Sequence, residues 1–383
     1  MSDMNYPDGI VLGRARVPGH DHPRIVTVRD GAVFDITVQG MATVRDIAES
    51  GRAAEHVRSA TGTELGSAEA ILANSAAAAI DPMQPSLLSP IDLQAIKASG
   101  VTFVVSLLER VIEEQARGDK SRADALRSEI LALIGMDLSE LVPGSETAAK
   151  VKAALIDKGV WSQYLEVGIG PDAEIFTKAQ PMSSVGYGAE VGLHPSSSWN
   201  NPEPEVALLV TSAGAIIGAT LGNDVNLRDV EGRSALLLGK AKDNNASAAL
   251  GPFVRLFDGE FTLETIKRAE IALRVEGEDG FVLDGHSSMS QISRTPESLV
   301  AATVGAHHQY PDGLVLYLGT MFAPVQDRGG EGMGFTHRLG DIVSISTPSL
   351  GTLSNRVNLS TQCPPWTYGA SQLLRDLAKA DLL

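Results

Sequence analysis

The chain has 383 residues, 43% hydrophobic and 20% charged, which is too apolar for general disorder and long enough for two domains of about 150 residues. Lys and Arg number 31 against 47 Asp and Glu, a formal net charge of −16, so nucleic acid and anionic membranes are poor partners whose phosphates would be repelled. The single cysteine, Cys363, cannot close an internal disulfide and predicts a reducing, cytoplasmic setting.

Met1 to Gly9 carries acids and a proline but no apolar core, so it does not read as a signal peptide. Ile25–Val28 and Ala32–Ile36 flank Arg29-Asp30-Gly31. Asp-Gly between two strand-like runs predicts a hairpin. Residues 41–80 are Ala-rich and helix-prone, and Asp81-Pro-Met-Gln-Pro85 reads as a linker. A boundary near residue 85 therefore divides a small β-rich domain with an appended helix, residues 1–85, from a larger domain, residues 86–383.

Residues 104–158 form the long helical stretch. Val104, Leu107, Leu108, Val111 and Ile112 keep i, i+3, i+4, i+7, i+8 spacing, one buried stripe, while Ser106, Glu109 and Glu113 fall on another face. A second helix is expected from Ala123 to Ile134. A third starts at Ser145 as N-cap and stops before Gly159. From Trp161 onward the pattern becomes short strands separated by Gly, Pro and Ser: Val206–Val210, Ala215–Leu221, Ile271–Val275, Leu314–Leu318 and Asp341–Ser346. The longest apolar run, Val206–Leu221, is broken by Thr211, Ser212 and Gly214 and falls short of the roughly 18 residues of a membrane span.

Common catalytic signatures are missing. There is no Walker A segment, no Gly-x-Ser-x-Gly elbow and no His-x-x-x-His pair, and one cysteine leaves no Cys-rich zinc site. The informative segment is Trp199-Asn-Asn-Pro-Glu203-Pro-Glu205-Val-Ala-Leu-Leu-Val210. Residues i and i+2 of a strand share a face, so Glu203 and Glu205 project together. Carboxylates about 4 Å apart repel by roughly 4 kcal/mol at an effective dielectric near 20, and a shared proton or a cation relieves this. A solvated strand end would serve equally well for this segment alone.

A hairpin turning at Ser212-Ala-Gly214 with its centre at residue 213 sets Glu205 opposite Leu221 and Glu203 opposite Asn223, with Asp224 beside the pair. Three carboxylates, oxygen ligands only, suit a hard divalent cation, with Mg²⁺ the default and Mn²⁺ its substitute. Arg228 follows four residues after Asp224, and Lys242 stands in Gly239-Lys-Ala-Lys-Asp-Asn-Asn245. A lysine near a cation is pushed toward its neutral form, which suits proton transfer, though alone either residue reads as a solvated surface cation. Gly319-Thr320 can present a backbone N–H and a hydroxyl to an anion, or serve only a turn.

Glu203-x-Glu205, Asn223-Asp224-x-x-x-Arg228-Asp229, Lys242 nine residues before Gly251-Pro252, Leu318-Gly-Thr320 and Gly340-Asp341…Leu350-Gly-Thr-Leu-Ser-Asn355 together resemble the fumarylacetoacetate hydrolase superfamily over about Leu87 to Val357. The resemblance implies an α+β fold, a mixed β-sandwich roll with a small N-terminal β-rich domain and a helical lid segment. It also implies Mg²⁺ on Glu203, Glu205 and Asp224, 2-oxo-acid substrates, and homodimers or homotetramers. Where the C–C hydrolases keep a catalytic His, this chain has Ser106 in Thr102-Phe-Val-Val-Ser106-Leu-Leu-Glu109, and the Gln often found three residues after the Arg is Glu231.

Trp161-Ser-Gln-Tyr164, Lys242-Asp-Asn-Asn245 and Pro365-Trp-Thr-Tyr-Gly369 are similar to the superfamily's dehydratases of 2-keto-3-deoxy-pentonates. The resemblance thus implies loss of water to give 2,5-dioxopentanoate in pentose catabolism. Lys242 is the expected base at C3, Glu109 the acid at the C4 hydroxyl, and Ser106 a hydroxyl-binding group. Arg228 and Thr320, with Ser106 and Lys242, orient the substrate. The alternatives are a C–C hydrolase of 2,4-diketo acids on the same metal platform and a non-catalytic, metal-stabilised sugar-acid binder.

Overall fold

The computed structural model describes residues 6–103, 107, 111, 141–157, 159, 161–322, 324–330 and 333–383. Their strands are β1 (Val11–Arg16), β2 (Arg24–Arg29), β3 (Ala32–Asp35), β4 (Thr63–Ser67), β5 (Ser86–Leu87), β6 (Ala95–Gly100), β7 (Glu174–Ala179), β8 (Glu190–Leu193), β9 (Pro204–Val210), β10 (Ile216–Asp224), β11 (Ala248–Leu256), β12 (Glu270–Glu276), β13 (Val282–Ser288), β14 (Leu314–Tyr317), β15 (Ile342–Thr347) and β16 (Gly351–Leu359). One sheet of eleven strands runs β4-β3-β2-β1-β11-β10-β9-β14-β6-β7, with β5 on β1; a second of five runs β13-β12-β15-β16-β8. Both sheets are mixed, since β14 pairs with β6 and β16 with β8 in parallel, and the α+β class stands.

The hairpin at Asp30-Gly31 forms as its sequence requires. Both residues have positive φ, 49° and 78°, and this left-handed turn matches the twist of β2 and β3. Residues 41–80 are not one helix. They fold as Val44–Glu49, Ala53–Ser59 and Ala68–Ser75, with β4 between the last two. Gly51 at φ 71° and the Thr61-Gly62-Thr63 segment interrupt the Ala-rich run. The helix expected after Ser145 spans Glu146–Asp157, with the Ser145 hydroxyl accepting from the Ala148 N–H at 3.1 Å. Of the stripe expected from residue 104, Leu107 and Val111 are described, and both are helical and buried. Ser106, Glu109 and the helix over 123–134 lie outside the described residues.

Strand β9 is buried along its whole length because both its faces are covered. Val206, Leu208 and Val210 face the core that includes Ile271, Leu273 and Val275 of the second sheet. Ala207 and Leu209 face the other way, onto Val44, Ile47, Val315 and Tyr317. Burying each of these Val and Leu side chains contributes roughly 1.5–3 kcal/mol. Strand β12 in the second sheet alternates strictly, with Ile271, Leu273 and Val275 inward and Glu270, Ala272, Arg274 and Glu276 exposed. By the period of 2, Glu203 and Glu205 belong to the Ala207 face, so the acidic end of β9 opens away from the second sheet. Among the described residues no helix is long and apolar enough to cross a membrane.

The Gly340-Asp341 turn is held by a buried ionic cluster. Arg328 grips both oxygens of Asp341, at 2.7 and 2.8 Å, and the Arg338 N–H and His337 Nδ1 donate at 2.9 and 3.1 Å. Burial alone would raise the Asp341 carboxyl, but the hydrogen bonds from His337, Arg328 and Arg338 outweigh it and hold it at about 2. Its folded value lies below the ordinary 3.8, so its stabilisation is complete above that pH and drains away as pH falls toward 2. Asp341→Asn leaves the buried Arg328 guanidinium to Asp279, at 2.7 Å, and weakens the hydrogen bonds around the turn, which should cost about 1–3 kcal/mol. Thermal unfolding at neutral pH checks this, and the gap between wild type and variant should narrow in strong acid.

Candidate active site

The three carboxylates meet because of a β-bulge. Ile216 pairs with Val210, but Gly218 pairs with Leu209, so Ile217 is an extra residue on β10. Beyond it Gly222, not Leu221, stands opposite Glu205, and Asn223 stands opposite Pro204. The Asp224 N–H then donates to the Glu203 carbonyl at 3.0 Å, which sets Asp224 opposite Glu203 on the same face. An unbulged hairpin centred on residue 213 would have turned Asp224 to the far face. Gly222 is needed beside Glu205, because a Cβ there would come within 2.3 Å of the Tyr317 ring.

Glu203, Glu205 and Asp224 each offer an oxygen within 4.8 Å of the others, and all three are at most 2% exposed. Each is fixed from behind. Glu205 accepts from the Gly319 N–H at 2.7 Å and the Thr320 hydroxyl at 3.3 Å. Lys242, the last residue of the helix Leu238–Lys242, places Nζ 2.5 Å from Glu203 Oε2 and 3.0 Å from Asp224 Oδ2. Lys178 on β7 reaches the other Asp224 oxygen at 2.8 Å, and its Nζ also donates to the carbonyls of Val225 and Lys242.

Two ammoniums against three carboxylates leave a surplus negative charge in a buried site. Burial, then Asp224 and Glu203, push the Glu205 carboxyl well above its usual range, a direction that a nearby cation would oppose. Burial pushes the Lys178 ammonium down, opposed chiefly by Asp224. Three hard oxygen donors at this spacing fit a divalent cation of the Mg²⁺ or Mn²⁺ type, and Glu203, Glu205 and Asp224 are the residues that would hold it.

A cavity opens over this cluster. Glu203, Asp224, Lys242 and Thr320 line one wall with Glu231; Ser99, Gly100, Val101, Tyr164, Glu174 and Phe176 line the other. Of the residues singled out in the sequence, Glu203, Glu205, Asp224, Lys242 and Thr320 thus converge. Arg228 is buried, donates to the Pro324 carbonyl at 3.2 Å and stacks 5.4 Å from the Trp199 ring centroid. Glu231, one turn on, accepts from Asn226 Nδ2 at 2.6 Å and reaches the cavity.

Sequence reasoning missed Lys178 and Glu174. The segment Glu174-Ile-Phe-Thr-Lys178 alternates and carries an acid, an aromatic and a base on one face, a pattern that a solvated strand would also show.

The family model described as fumarylacetoacetate (FAA) hydrolase, C-terminal, matches residues 145–358. A Haloferax volcanii protein named probable 2-keto-3-deoxyxylonate dehydratase is 30% identical over 213 residues, 56% of this chain and 68% of that protein. A Saccharolobus solfataricus 2-dehydro-3-deoxy-D-arabinonate dehydratase is 31% identical over 180 residues, 47% of this chain and 57% of its own length. Among solved structures, a 2-keto-3-deoxy-D-arabinonate dehydratase complexed with magnesium and 2,5-dioxopentanoate aligns with a TM-score of 0.62 at 21% identity, covering 91% of this chain and 99% of that one. At that identity the likeness establishes a shared fold.

Proposed function

Because the chain belongs to the fumarylacetoacetate hydrolase family, we propose that it is a divalent-metal-dependent hydro-lyase that converts a 2-keto-3-deoxy-pentonate to 2,5-dioxopentanoate. The observation that carries this reading is Lys242, buried and held over the Glu203–Glu205–Asp224 cluster at the floor of one cavity. The two relatives named as dehydratases of such acids support it.

Bound Mg²⁺ would supply Lewis acidity to the 2-oxo-acid end of the substrate, which acidifies the C3 protons. The chain's own groups do the rest. Gly319 and Thr320 orient Glu205, and Lys178 orients Asp224. Lys242 takes the C3 proton. Its neutral form, which a divalent cation beside it would favour, is the form able to accept a proton. Glu109 protonates the departing C4 hydroxyl, and Ser106 holds a substrate hydroxyl; both assignments rest on the resemblance. Loss of a C5 proton and tautomerisation complete the aldehyde, so one water leaves and the carbon chain stays whole. Arg228 orients the substrate on the strength of the resemblance, from a helix, Arg228–Glu231, held against Trp199 and Pro324.

Cys363, free and buried, is consistent with a cytoplasmic protein, and the resemblance favours a homodimer or homotetramer, which light scattering decides. The reading is tested by rates on 2-keto-3-deoxy-D-pentonate, its L-isomer and an acylpyruvate. Turnover of a pentonate is expected. Turnover of the acylpyruvate alone would make the protein a C–C hydrolase.

A further inference from the structure

Residues 197–200 are bonded on one side to the helix Arg228–Glu231 and on the other to Phe335 and Thr336. On the reading given above, in which Arg228 orients the substrate, we propose that Trp199 is a positioning residue that sets the Arg228 guanidinium where the substrate meets it.

Towards the helix, the Trp199 carbonyl accepts from the Asp229 N–H at 3.2 Å. The Asp229 carboxylate accepts from the Ser197 hydroxyl and the Ser198 N–H, each at 2.8 Å. The Trp199 backbone is thereby registered to the residue next to Arg228. On the other side, the Trp199 indole N–H donates to the Phe335 carbonyl at 3.1 Å, and the Thr336 hydroxyl accepts from the Asn200 N–H at 3.2 Å. The ring centroid then lies 5.4 Å from the Arg228 guanidinium carbon, and Nη1 of the same guanidinium donates to the Pro324 carbonyl at 3.2 Å. Arg328, between Pro324 and Phe335 in sequence, is fixed to Asp341, and its N–H donates to the Gly334 carbonyl at 3.0 Å. Both carbonyls that hold this pair therefore belong to an anchored stretch.

Arg228 is 4% exposed, so its charge is largely out of water. A guanidinium is planar and stacks on an aromatic face within about 6 Å of the centroid, with tryptophan the strongest ring. A ring face holds the cation through its plane and takes none of its N–H donors. An arginine fixed in this way is pre-organised for an oxygen of the substrate, so less freedom is lost on binding. A tryptophan that only fills space would also bond its N–H. What distinguishes a positioning role is energetic coupling to Arg228, which a double-mutant cycle measures.

The cycle is run on the Mg²⁺-loaded protein with 2-keto-3-deoxy-pentonate. Trp199→Leu should raise KM about 10-fold and change kcat by less than about 3-fold, because the group lost orients the substrate and takes no part in proton transfer. Trp199→Phe keeps a ring face and loses the N–H, and should raise KM about 2–4-fold. Arg228→Met should raise KM by more than either, and adding Trp199→Leu to it should cost less than about 2-fold more. Mn²⁺ affinity should stay near the wild-type value throughout, since Gly319, Thr320, Lys178 and Lys242 still hold the carboxylates. An unchanged KM in Trp199→Leu, an effect of Trp199→Leu undiminished beside Arg228→Met, or a parallel loss of Mn²⁺ affinity would overturn the assignment. So would an unchanged KM in Arg228→Met. If Trp199→Leu does not fold, Trp199→Phe carries the same cycle. If the wild-type protein turns over no pentonate, the proposed function has failed, and dissociation constants for pyruvate replace KM in the cycle. Weaker pyruvate binding in Trp199→Leu, with no further loss beside Arg228→Met, then upholds Trp199, and equal or absent binding rejects it.

Discussion

Glu203→Gln is expected to lower kcat/KM by about 10³-fold or more, as much as exhaustive chelation does. Lewis-acid stabilisation contributes several kcal/mol to such reactions, and about 4 kcal/mol corresponds to 10³ in rate. The substitution removes one charge from the ligand set and also removes the carboxylate 2.5 Å from Lys242 Nζ. Two readouts separate these effects. Mn²⁺ affinity, followed by calorimetry or electron paramagnetic resonance, should fall sharply. The melting temperature in excess EDTA should change much less, because without metal the variant also removes the repulsion that Glu203 exerts on the buried Glu205. Mg²⁺ or Mn²⁺ should restore the chelated wild type and leave the variant slow. Full activity in excess EDTA, after bound metal has been removed, would reject the site.

Lys242→Met should lower kcat by about 10²–10⁴-fold, the usual cost of losing a general base. It should also stop exchange of the C3 protons into D₂O, because the missing group acts at the first proton transfer. Glu109→Gln should lower kcat over a similar range yet leave part of the exchange, since its role comes after C3 is deprotonated. Exchange that persists in Lys242→Met and stops in Glu109→Gln would reverse the two roles. Lys242 is buried between Glu203 and Asp224, so Met at this position keeps the packing against Phe176 while removing the charge.

The three acids were legible in the sequence because their signal is local. Glu203-x-Glu205 abuts a run that is apolar on both faces, and the hairpin turn beyond it brings Asp224 to the same end, where the pair alone would have fitted a solvated strand end equally well. Their geometry was less legible. Turn residues place the centre of the β9–β10 hairpin correctly, but the bulge at Ile217 is announced only by Gly218 after it, which reads equally as an ordinary strand glycine, and the bulge decides which face Asp224 occupies. The Asp30-Gly31 hairpin was readable because its two-residue turn admits few alternatives. The Ala-rich stretch 41–80 was read as too uniform, since helix propensity there is overridden at Gly51 and by pairing of β4 with β3.

Lys178 and Glu174 escaped for a different reason. Their significance depends on β7 crossing the sheet to face residues about 50 positions away in sequence, a tertiary fact that period and spacing do not encode. Gly319 and Thr320 read equally as donors to an anion or as a turn, and in the structure they donate to the Glu205 carboxyl group.

The most direct test of dehydration is the mass of the product formed from 2-keto-3-deoxy-pentonate by the purified, Mg²⁺-loaded protein. The account predicts a single five-carbon product lighter than the substrate by one water and carrying an aldehyde. Two shorter fragments, or binding with no change in mass, would contradict it.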